Sequence, residues 1–123
     1  MIDGSDYTVI ATGVMVNEAM IAAKALAGEG ISLRVIDIHT IKPIDNEIII
    51  KSANETKGIV TAEEHTIFGG LGSAVSEVVV KNCPVKMAFV GIQDTFGESG
   101  KPAELLVKYG LTADDIAKAV RSL

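Results

Sequence analysis

An α/β fold, a mostly parallel sheet with helices on both faces, is what the 123-residue sequence predicts, on three observations. Short runs rich in Val and Ile recur at 7–13, 31–38, 58–64 and 85–92. Longer segments of helical character lie between them. Glycine, proline or a capping acid marks the junctions. Near-continuous branched apolar runs suit strands buried on both faces. Repeated strand–helix alternation implies a parallel sheet joined by right-handed crossovers.

YTVIATG (7–13) is the first strand, ended by Gly13. VMVNEAMIAAKALAGEG (14–30) is a helix stopped by Gly28 and Gly30; it is so rich in Ala and Met that little surface is expected to face solvent. ISLRVIDI (31–38) is the second strand. HTIKP (39–43) is an extended link, because Pro43 keeps Lys42 out of the α region. Asp45 stands at the N-cap of NEIIIKSANE (46–55). GIVTAEE (58–64) is the third strand, and a glycine turn leads from it into a helix reaching about Lys81. Asn82, Cys83 and Pro84 break that helix, and VKMAFVGI (85–92) is the fourth strand. QDTFGESGK is a loop, and PAELLVKYG is a short helix with Pro102 in its first turn. LTADDIAKAVRSL closes the chain, with Thr112 as N-cap, acids in the first turn and Arg121 in the last. No internal repeat or linker interrupts the pattern, so residues 1–123 read as one domain.

Composition excludes several classes. Apolar residues make up 48% and charged residues 22%, enough for a packed core, which argues against disorder. The net charge is −5 with no basic cluster, which argues against a nucleic-acid or anionic-membrane partner. Cys83 is alone, so no internal disulfide forms, and a reducing cytoplasm is expected. Apolar runs are too short to span a membrane, and the N-terminus lacks the shape of a signal peptide.

The stretch EEHTIFGGLGSAVSE (63–77) carries the most suggestive chemistry. As a dinucleotide fingerprint it is poor, since Val75 sits where the third small residue belongs. Its glycines are better read as a sharp turn that lets a helix start close against the sheet. His65 follows two acids at a strand end, a common place for ligand contacts, and Glu63 or Glu64 could orient it. The plainer alternative is a histidine that caps the turn. His39 is a weaker candidate, and two histidines without ligand spacing do not make a metal site. Cys83 and Ser99 lack the context of a nucleophile. Taken alone, the residues suit a binding or assembly module better than a self-sufficient enzyme.

Four motifs taken together resemble the C-terminal domain of transketolases and related thiamine-diphosphate enzymes. They are YTVIATG, DIHTIKPID (37–45), IVTAEEHTIFGGLGSAVSE (59–77) and GIQDTFGESGKPAELLVKYGLTADDI (91–116), in the family's order and covering almost the whole chain. EEHTIFGGLGSAVSE followed by DTFGESG is most similar to the short C-terminal subunit of split transketolases. Deoxyxylulose phosphate synthase and the β subunit of 2-oxo acid dehydrogenases have a similar domain and stand as alternatives.

The resemblance implies a three-layer α/β/α domain with four parallel strands in the order 2-1-3-4. The family's antiparallel first strand is expected to be missing, because only six residues precede Tyr7. The order then reverses between the first and third strands, where a crevice opens. Its candidate residues are Thr12, Gly13, Glu63, Glu64, His65, Gly69, Gly70 and Gly72.

The implied activity is thiamine-diphosphate-dependent transfer of a two-carbon ketol unit between sugar phosphates, as in the pentose phosphate pathway. Thiamine diphosphate and its divalent metal lie between two other domains in this family, and the GDG metal motif is absent here. No catalytic, cofactor-binding or metal-binding residue is therefore expected on this chain, which reads as part of a larger, oligomeric cytoplasmic enzyme and inactive alone. Its implied partners are the cofactor-binding domains or subunits of the same enzyme. A reading of another class makes the crevice a small-anion or sugar-phosphate site using His65, Thr12 and helix-start amides.

Overall fold

The computed structural model describes residues 2–39, 44–66, 70–92, 107 and 110–123. Along the chain run β1 (Tyr7–Ala11), α1 (Met15–Ala27), β2 (Leu33–Asp37), α2 (Asn46–Glu55), β3 (Gly58–Thr66), α3 (Leu71–Asn82), β4 (Lys86–Ile92) and α4 (Ala113–Arg121). The link at 40–43 and the loop at 93–101 lie outside the described residues, as does the short helix expected at 102–110 except for Val107 and Gly110.

The four strands form one sheet in the order β2-β1-β3-β4, every neighbouring pair parallel. Thr8 on β1 lies opposite Arg34 of β2 on one side and Ile59 of β3 on the other. The expected order and orientation are therefore those observed.

Strand alternation divides the core in two. Val9, Ala11, Val35, Val60, Ala62 and Val90 pack with α1 and α4. Ile10, Ile36, Ile38 and Ile59 pack with α2 and α3 on the opposite face. Both faces of the sheet are covered, which is why the strands read as apolar runs. One polar pair lies within this core: the hydroxyls of Thr8 and Thr56 are 2.8 Å apart, and the Thr56 hydroxyl donates to the Ser52 carbonyl at 2.7 Å.

The helix ends follow the expected chemistry. Asp45 accepts from the Ile48 amide at 3.3 Å, and Thr112 with Asp115 forms a capping box. Gly30, at φ +81°, closes α1, where the Ile31 amide donates back to the Leu26 carbonyl at 3.0 Å. The expectation that α1 leaves little surface for solvent is not met. Met15, Ala19, Ala22, Ala23 and Leu26 are buried, while Asn17, Ile21, Lys24 and Ala25 are exposed. Small side chains narrow the buried stripe of α1 without burying its far side.

At the outer edge of β2, Ile2 forms a single antiparallel bridge with Val35, with backbone bonds of 3.2 and 2.8 Å. Among the described residues this single bridge is the antiparallel pairing at that edge. Arg34 clamps this edge. Its guanidinium, with the side chain only 12% exposed, reaches Asp3 (3.2 Å), the Gly4 carbonyl (3.2 Å) and Glu55 (2.7 Å).

Arg121, in the last turn of α4, forms a bidentate pair with Glu29 beyond the end of α1, at 3.0 and 2.5 Å. The hydrogen bonds from Arg121 hold the Glu29 carboxyl below its ordinary range. A depressed carboxylate stabilises the fold above the unfolded-state pKa and loses that effect as pH falls through the folded value. Arg121→Gln is expected to move the Glu29 titration upward toward an ordinary glutamate, read by carboxyl NMR. The effect on stability should be small, since both groups are exposed.

Candidate functional site

The C-terminal end of β3 is where the candidate residues meet. β3 stays in register with β4 from Gly58–Lys86 to Ala62–Val90, then shifts before Thr66–Ile92. The irregularity spans Glu63 to His65. Glu63 keeps the phase of Ile59 and Thr61 and turns toward α3, and it is only 2% exposed. Its two carboxylate oxygens accept from the amides of Leu71 (2.9 Å) and Gly72 (2.8 Å).

Those amides open α3, whose N-cap Gly70 has no side chain to satisfy them. The cap arrives instead from the strand. Carboxylate and helix terminus complement each other electrostatically, and both bonds are charge-assisted. Strand alternation aims the acid, and α3 begins within its reach. Both oxygens of Glu63 are engaged, so its role is to anchor α3.

Gly72 explains how close the helix comes. A Cβ there would lie 2.7 Å from Phe89 Cδ1 and 3.1 Å from Thr61 Oγ1, so only glycine fits without displacement. The expected close start of the helix against the sheet is observed at this residue. Among the described residues Thr61 Oγ1 has no hydrogen-bond partner, and it lies close beneath Gly72. Thr61 and Phe89 were not among the candidate residues. They are register partners on adjacent strands, a signal that appears only once the pairing is known.

β1 supplies the other wall. The Thr12 amide donates to the Ala62 carbonyl at 3.2 Å, tying the β1 turn to β3. Gly13 sits at φ +58°, and a Cβ there would lie 3.2 Å from Oε1 of the exposed Glu64. Thr12, Gly13, Glu63, Glu64, Gly70 and Gly72 therefore gather at the switch point between β1 and β3. The His65 backbone belongs to β3, while its side chain and all of Gly69 lie outside the described residues. His39 is elsewhere, exposed and 3.5 Å from Asp37. Among the described residues no group of three or more His, Cys, Asp or Glu side chains could hold a metal ion. No helix of the described residues is long and apolar enough to cross a membrane.

Removing the Glu63 carboxylate leaves two buried amides unpaired. Glu63→Ala should cost about 2–4 kcal/mol of stability. Glu63→Gln can satisfy one amide but turns an NH₂ toward the other, and should cost about 1–3 kcal/mol. Chemical denaturation measures both. A loss below a few tenths of a kcal/mol in both variants would contradict the anchoring role.

Comparison with known proteins agrees with this architecture. Residues 2–116 match the family described as "Transketolase, C-terminal domain". The "6-deoxy-6-sulfo-D-fructose transketolase subunit SqwH" of Clostridium sp. (strain MSTE9) is 47% identical over 98% of this chain, which spans 38% of that protein. A 1-deoxy-D-xylulose-5-phosphate synthase of Syntrophotalea carbinolica is 41% identical over 98% of the chain, here spanning 19% of the relative. Among solved structures, a "Split gene transketolase, inactive beta4 tetramer" superposes with a TM-score of 0.94 at 50% identity. It covers 98% of this chain and 40% of its own. The chain thus spans well under half of the length of these relatives. With the fold, the strand order and this match in agreement, the chain belongs to the transketolase C-terminal domain family.

Proposed function

We propose that the chain is the C-terminal assembly domain of a transketolase-type enzyme and forms one domain of a larger subunit. In that enzyme, thiamine-diphosphate-dependent transfer of a two-carbon ketol unit between sugar phosphates takes place on other domains. The observation that carries this reading is the commitment of Glu63 to the amides of α3, which gives the acid at the switch point a structural task. The same domain in a deoxyxylulose phosphate synthase is the alternative, and the 41% identity to one such enzyme keeps it in view. A cytoplasmic location accords with the lone Cys83.

The described residues do not fit a diphosphate held through a divalent metal. Such a cation needs several converging oxygen ligands. Both Glu63 oxygens accept backbone amides, Asp115 is bound into the capping box with Thr112, and Glu64 stands alone beside Gly13. Thiamine supplies the carbanion chemistry in whole enzymes. This chain's contribution is to bury surface against the domains that hold it. Calorimetry of the chain with thiamine diphosphate and magnesium should show no heat of binding, and the chain alone should transfer no ketol unit. Micromolar binding or measurable transfer would overturn the proposal.

Exposed apolar side chains at the N-cap and on the outer face of α1 support association with another domain or subunit. Val14 is 43% and Ile21 49% exposed. The solved relative is a beta4 tetramer. Sedimentation of the isolated chain is expected to show concentration-dependent self-association that Ile21→Asp weakens. A monomer at every concentration would count against this surface.

The crevice gives the second reading, a small-anion or sugar-phosphate site. In its favour are Thr12, Gly13 and the start of α1 at the switch point. Against it stand the charges of Glu63 and Glu64 and the prior use of the Leu71 and Gly72 amides. Titration with a sugar phosphate, followed by amide NMR, separates the two readings. Shifts confined to residues 12–17 and 65–73 would establish the site, and unmoved amides would leave the assembly reading alone.

A further inference from the structure

We draw no further inference here: the strongest candidate, the pair of largely apolar cavities of about 320 and 480 Å³ that flank Ile2 along the outer edge of β2, carries nothing because no contact in the structure shows what covers them.

Discussion

A buried carboxylate must be stabilised by opposite charge or by dipoles, and the first amides of α3 hold Glu63. Removing such a charge from water costs several kcal/mol. Two short charge-assisted bonds and the helix dipole offset that cost only if α3 starts at one place and one angle. The interaction therefore fixes α3 against β3, and Gly72 can then settle between Thr61 and Phe89. With α3 in place, Leu71, Val75, Val78 and Val79 complete the core over Ile10, Ile36 and Ile59. The core on one face of the sheet is closed by the way one strand ends.

Much of this was readable from the sequence, for reasons that differ by element. The strands showed because burial on both faces removes polar residues. Asp45, Thr112, Gly13 and Gly30 showed because caps and left-handed turns accept few residue types. The strand order came from the resemblance and not from periodicity, since no residue pattern states which strands are neighbours. Glu63 was singled out as a possible partner of His65. The bonds described for it run to amides eight and nine positions along, a separation no short-range pattern records, while the His65 side chain lies outside the described residues. The exposed face of α1 was misjudged because Ala and Met suit a helix on either side.

The two walls of the switch point are built differently. The β3 wall is pinned by side-chain bonds, whereas the β1 wall is set by backbone: the Thr12 amide on Ala62 and the left-handed turn at Gly13. Both walls are short, and their carboxylates are either engaged or face outward. This construction leaves the acids of the β3 wall either bonded to backbone or turned to solvent.

Every strand pairing in this sheet is parallel, and that shapes how the chain reaches its fold. No tight hairpin can start the sheet, since each contact waits for a crossover. The central pairing sets Thr8 opposite Ile59, so its formation closes a loop of about fifty residues before any of that contact is gained. Folding should accordingly be slow beside that of a helical bundle of equal size, with strand edges open while the crossovers find their places. The nascent chain would meet its most aggregation-prone moment before β3 has paired with β1.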